Sequence, residues 1–187
     1  MANVKDANLE LIFKWEGGLS KNKKDAAAKF PRPAGLEFHT NKGITWETFS
    51  TNAQKLGYAA DPALFIKMPD DIWDGIKGDD IKSQAIAEFM TDWAWGSGPG
   101  TAGKKLQEYL NIHRTENLLK VDGKIGTKTL DALHELIKQK GERIVFEDLD
   151  RMKRNFLNQL SSINTFGVGW YHRMDDFRNY AVKIISK

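Results

Sequence analysis

Residues 80–100 read DIKSQAIAEFMTDWAWGSGPG. Asp80 stands as a cap before a run with apolar side chains from Ile81 to Trp95. Gly96-Ser97-Gly98-Pro99-Gly100 then forms a strong breaker. The stretch predicts a long helix over 81–95, a turn, and a second helix over 101–110. The same punctuation continues outward. Thr127 caps a helix to about Lys140, and 142–160 and 166–185 read as two long amphipathic helices. Toward the N-terminus, Val4, Ala7, Leu11 and Trp15 recur at helical spacing, widened by Leu9, Ile12 and Phe13, and Gly17-Gly18 stops that helix. Thr45 is a good N-cap for a helix to about Leu56. Asp61-Pro62 and Pro69-Asp70-Asp71 start two short ones, with Pro62 at the first helical position. Residues 19–43 have no period and read as a long loop. Val121-Asp122-Gly123 has the signature of a turn or short hairpin. The expectation is an all-α fold with a small β element near the active loop.

At 187 residues the chain is one domain, or one domain with a small lobe. Its 28 Lys+Arg against 25 Asp+Glu give a formal charge of +3. That balance is too mild for a dedicated nucleic-acid binder but helps a protein that works on an acidic polymer. With no cysteine there is no disulfide, thiolate nucleophile or thiolate-held metal. The four histidines are scattered, and no nucleotide-binding loop or calcium loop is present, so no cofactor and no metal are expected. No stretch approaches the roughly 18 apolar residues of a membrane span. The N-terminus has no apolar core of a secretory signal.

Two constellations could carry chemistry. Glu16 closes an apolar helix beside Trp15 and before two glycines. The negative end of the helix dipole and desolvation would both raise its pKa, as a general acid requires. Asp25, in the following loop, is better solvated and so ionised. Two carboxylates with environments that push their pKa values apart suit glycoside hydrolysis. The plainer reading is a helix-end carboxylate and a solvated loop charge. The second constellation is Asp92, Trp93, Trp95 and Ser97. Indole faces can stack on a pyranose, and Asp92 or Ser97 can bind hydroxyls or amides. Its plain alternative is core packing of the tryptophans.

Glu16-Gly17-Gly18, then Asp25, then Thr40-Asn41-Lys42-Gly43-Ile44-Thr45 resembles the signature of the family-108 glycoside hydrolases, N-acetylmuramidases of the lysozyme-like superfamily. The order of Glu, Asp and Thr is similar to that of phage-type lysozymes too. Ala102 to Gln107, Val121-Asp122-Gly123-Lys124-Ile125-Gly126-Thr127 and Phe166-Gly167-Val168-Gly169-Trp170 through Arg173 resemble the predicted peptidoglycan-binding region that accompanies that family. In one place the sequence departs from the pattern. The family's Asp-x-Gly-Gly-x-Thr run is replaced by Asp25-Ala26-Ala27-Ala28, an insertion through Pro31 and Pro33, and Phe38-His39-Thr40.

The resemblance implies a lysozyme-like catalytic region over 1–90 and a helical peptidoglycan-binding region over 91–187, packed as one compact unit. It implies cleavage of the β-1,4 bond between N-acetylmuramic acid and N-acetylglucosamine, with Glu16 as catalytic acid. Asp25 or Thr40 would position water or stabilise the transition state, while His39 and Asn41 line the cleft. Trp170 is expected in the core and Arg173 in an ion pair. Peptidoglycan is the expected partner of a monomer that inserts in no membrane and binds no nucleic acid. Without a signal peptide, the chain would stay cytoplasmic until a phage or prophage holin, or a dedicated export route, brings it to the wall. A wall-binding protein that has lost catalysis and a lytic transglycosylase are the alternatives.

Overall fold

The computed structural model describes residues 2–3, 11, 19–21, 23, 26–41, 44–55, 57, 59–67 and 71–185. The chain divides into two compact units, a smaller one over Leu9–Asp70 and a larger one of Met1–Asn8 with Asp71–Lys187. The expected division at 90 and 91 falls inside the larger unit.

The smaller unit contains a three-stranded antiparallel sheet of two-residue strands, β1 (Leu19–Ser20), β2 (Thr40–Asn41) and β3 (Ile44–Thr45), in the order β1-β2-β3. Ser20 pairs with Thr40, and Thr40 with Thr45. Thus the stretch read as a bare loop holds two strands and a 3-10 turn, Ala26–Lys29. Two residues are too few to show alternation, so only pairing with distant strands creates this element. Helix α1 (Trp46–Lys55) starts as expected: the Thr48 N–H donates to Thr45 Oγ1 at 3.1 Å. Helix α2 (Pro62–Lys67) opens with Pro62, and Asp61 Oδ1 accepts from the Ala63 N–H at 2.8 Å. Leu36, Trp46 and Phe65 form the core, with Phe49 and Ala60 against it.

The larger unit is helical: α3 (Asp71–Gly75), a 3-10 turn (Gly78–Asp80), α4 (Gln84–Ser97), α5 (Pro99–Ile112), α6 (Thr127–Lys140), α7 (Glu142–Asn158) and α8 (Ile163–Ile185). The cap of α4 is Ser83, whose Oγ accepts from the Ile86 N–H at 3.0 Å, and not Asp80, which ends the 3-10 turn. Helix α4 is buried on every side from Ala85 to Trp95 and packs against α5, α7 and α8. A helix with no polar face belongs inside a bundle. Phe89 lies at its centre, edge-on to Trp93, Phe146 and Phe177 with centroids 6.0, 5.4 and 5.9 Å away.

Asp122-Gly123 makes a turn, with no strand at either side. Asp122 Oδ1 accepts from the Lys124 N–H at 2.9 Å. The buried Gln107 side chain fills the turn: Nε2 donates to Lys124 O at 3.1 Å, and Oε1 accepts from the Gly123 N–H at 2.8 Å. Two glycines permit this approach of α5 to the turn. Gly123 has φ +81°, and a Cβ on Gly103 would stand 2.3 Å from Gly123 O.

Candidate active site

The residues assigned to catalysis and sugar contact fall into three groups. Glu16 and Asp25 lie outside the described residues. His39, Thr40 and Asn41 stand together at strand β2 of the smaller unit. Asp92, Trp93, Trp95 and Ser97 share helix α4 of the larger one.

At β2 the sheet register sets the side chains. His39 is buried, and its backbone carbonyl accepts from the N–H of Trp46, the first residue of α1, at 2.9 Å. Its Nδ1 is 2.9 Å from Thr40 Oγ1, so the ring holds the half-buried threonine hydroxyl in one orientation. Which of the two atoms donates depends on the imidazole tautomer. Thr40 is the part of this group able to place a small polar molecule, because its hydroxyl can donate and accept at once. Asn41 is buried at 1% exposure, and its Nδ2 donates to Phe65 O at 2.7 Å. Phe65 is near the end of α2, where carbonyls lack partners within the helix. Asn41 thus ties β2 to α2, and buried His39 bonds Thr40.

The α4 group is a buried ion cluster. The Arg173 guanidinium grips Asp92 Oδ1 through Nε at 2.7 Å, and the Lys153 ammonium bonds Asp92 Oδ2. The Lys153 ammonium also lies 5.2 Å from the centre of the Phe89 ring. Burial pushes the Arg173 guanidinium down to about 10, which leaves it a cation at neutral pH. A carboxylate between two cations is committed, and the sugar-binding role expected of Asp92 is corrected accordingly. Trp93 is 1% exposed, among Phe89 and Phe156, and offers no open face to a pyranose. Trp95 is buried as well. The Ser97 hydroxyl donates back to Trp93 O at 2.9 Å, one turn earlier in α4. The expected sugar platform is thus helix core.

Of the other residues singled out, Arg173 does form an ion pair. Trp170 is half-buried beside exposed Phe166, with ring centroids 6.1 Å apart, where a core position was expected. Sequence reasoning missed Lys153. Its signal was the run Phe146, Leu149, Lys153 at helical spacing, which sets a cation on an apolar face. It missed a second ion cluster too, in which buried Asp150 Oδ2 accepts from Arg154 at 2.9 Å and Arg178 at 3.4 Å.

Comparison with known proteins brings these parts together. Residues 9–98 match the model of glycosyl hydrolase 108, and residues 101–175 match that of a predicted peptidoglycan domain. Among solved structures, Brucella abortus SagA is similar to this chain, with 26% identity and a TM-score of 0.66 over 96% of this chain and 94% of that one. No curated protein matches. Residues 9–98 are thus similar to glycosyl hydrolase 108 and residues 101–175 to a predicted peptidoglycan domain, and the two matches together support a peptidoglycan hydrolase.

Proposed function

We propose that this chain is an N-acetylmuramidase, hydrolysing the β-1,4 bond between N-acetylmuramic acid and N-acetylglucosamine, with Glu16 as the general acid. The observation that carries the reading is the glycosyl hydrolase 108 match over 9–98. It includes Glu16-Gly17-Gly18 and the strand that bears Thr40. The sheet supports it, since β1, which follows Glu16-Gly17-Gly18 in the chain, pairs Ser20 with Thr40. Glu16 would protonate the leaving glycosidic oxygen as the C–O bond breaks, and the sugar ring would pass through an oxocarbenium-like transition state. Thr40, oriented by His39, or the carboxylate of Asp25 would hold the incoming water.

The test is clearing of bacterial cell walls in a zymogram. Glu16→Gln is expected to abolish clearing while the melting curve stays that of the unaltered chain. Full clearing by that variant would remove Glu16 from the mechanism. Mass spectrometry of the released muropeptides separates the chemistries, because hydrolysis leaves reducing ends and transglycosylation leaves 1,6-anhydro ends.

A second reading has one observation in its favour. Ala26–Lys29, at the place of the family's Gly-Gly segment, is a 3-10 turn with Ala27 buried. A chain so altered could keep wall binding and lose hydrolysis. Retention on sacculi without release of soluble fragments would favour it.

A further inference from the structure

The loop after α5 and the first turns of α6 enclose a groove of about 860 Å³ within residues 107–135. It lies wholly inside the span that matches the peptidoglycan domain. Its charges are of both signs. Lys120, Lys124 and Lys128 line it, all exposed, the first two near Asp122 and the third in the first turn of α6. No carboxylate closes an ion pair with any of the three among the described residues. Asp122, which sits beside them, is already engaged by the Lys124 N–H and by Gln107 Nε2 at 3.1 Å. Helix α6 opens here at Gly126, with no side chain capping it, so its dipole adds to the positive potential.

Along α6 the sign reverses. Asp131 and Glu135 line the groove one and two turns on, on the face that Lys128 begins. Glu135 is held by Gln139 Nε2 at 3.1 Å and more loosely by Arg114 at 3.9 Å. Exposed Leu118 and half-buried Leu119 provide apolar wall. From Lys128 to Glu135 the helix rises about 10 Å, the reach of roughly three extended residues. A smaller cleft of about 220 Å³ shares Arg114, Ala132 and Glu135 with the groove and extends it toward His113.

A groove of this kind suits a short extended peptide with free carboxylates along its backbone and an ammonium at the tip of one long side chain. A nucleic-acid strand does not fit, because Asp131 and Glu135 would repel its phosphates. We infer that the groove binds the stem peptide of peptidoglycan. The D-glutamyl and terminal carboxylates lie toward Lys120, Lys124 and Lys128, and the side-chain ammonium of the diamino acid lies toward Asp131 and Glu135. This assignment rests on the reading of peptidoglycan as the substrate, and it separates recognition of the peptide from cleavage of the glycan.

The experiment is calorimetric titration of the full chain with the N-acetylated tetrapeptide L-Ala-γ-D-Glu-L-Lys-D-Ala, whose diamino acid carries a lone side-chain ammonium. Saturable binding is expected, weakening as salt is raised. Lys124→Glu/Lys128→Glu should reduce affinity by about tenfold or more. An acid at 128 stands in the first turn of α6, where the helix dipole favours it, so the variant should keep its circular dichroism and melting temperature. Asp131→Lys should weaken the tetrapeptide and spare the analogue with alanine in place of the diamino acid. Absence of saturable binding, or equal affinity in the double variant, overturns the assignment. Release of fragments from intact sacculi by the unaltered chain tests the hydrolase reading separately, without this titration.

Discussion

The two units of this molecule are held together by different physics. In the smaller, three rings pack together among the described residues: Trp46, Phe49 and Phe65 lie 5.4 to 5.5 Å apart around Leu36. Among the described residues, the buried His39 bonds Thr40 beside it and the buried Asn41 bonds the Phe65 carbonyl. In the larger, α4 runs through the middle of a bundle, and its one buried aspartate is locked by cations from α7 and α8. The smaller unit leaves Thr40 half-buried and available for chemistry. The larger spends its charges on its own framework and presents a groove elsewhere. Packing and family boundaries also fall in different places. Helix α4 lies within the hydrolase match, yet its side chains pack against Phe146, Phe156 and Phe177 of the bundle, and the first two of these belong to the peptidoglycan match. A chain cut at residue 98 would lay Phe89, Met90 and Trp93 open to water, so the hydrolase match is no freestanding domain.

This contrast can be broken by mutation. The largest effect is expected from Asp92→Ala, which strips two buried cations of their counter-charge and should cost about 3–5 kcal/mol in urea denaturation. Hydrogen exchange should rise in α4, α7 and α8. The triple variant Asp92→Leu/Lys153→Met/Arg173→Met should recover most of the loss, since an apolar cluster leaves no charge unpaired. Unchanged protection in Asp92→Ala would mean that the ion cluster does not hold the bundle. Next comes Phe65→Ala, which removes a fully buried ring and should cost about 3 kcal/mol. Faster exchange is expected in β2 and α1, because Phe65 touches Trp46 and its carbonyl holds Asn41.

The smallest effect concerns alkaline stability. The Tyr180 hydroxyl donates to Glu88 Oε1 at 3.2 Å. Burial first and the Glu88 charge second push the phenol from 10.0 up to about 12. Because the folded chain holds this proton more tightly than the unfolded one, the contribution is complete below pH 10 and is lost as pH rises toward 12. Tyr180→Phe should flatten the fall of melting temperature across that window. An unaltered slope would locate the alkaline sensitivity at another group.

Much of the helical architecture was legible because helices announce themselves locally. Thr45, Asp61-Pro62 and the break at Gly98-Pro99 act within one turn of chain, so spacing alone places them. The start of α4 was misplaced by three residues, since Asp80 and Ser83 are both good caps and the choice between them rests on the 3-10 turn beneath. The sheet of 19–45 was invisible as strands, because each strand is two residues long and its partner lies up to twenty-two residues away. In the candidate site, the contact of His39 with Thr40 could not be read from spacing, because it arises from the geometry at β2. The tryptophans and Asp92 were mistaken for a sugar platform. Their residue types suit both a binding face and a core, and burial alone distinguishes the two.

What the sequence by itself determined is the local grammar of this protein: where helices begin and stop, which faces are apolar, and the Glu16-Gly17-Gly18 to Thr45 stretch that falls within the glycosyl hydrolase 108 match. Only the tertiary structure decided that Asp92 is a buried anchor and that Asn41 bonds the Phe65 carbonyl of α2. Those facts depend on which distant residues meet. Such meetings are set by close packing and by the demand that every buried charge find a partner, and neither is written in the spacing of neighbours along the chain.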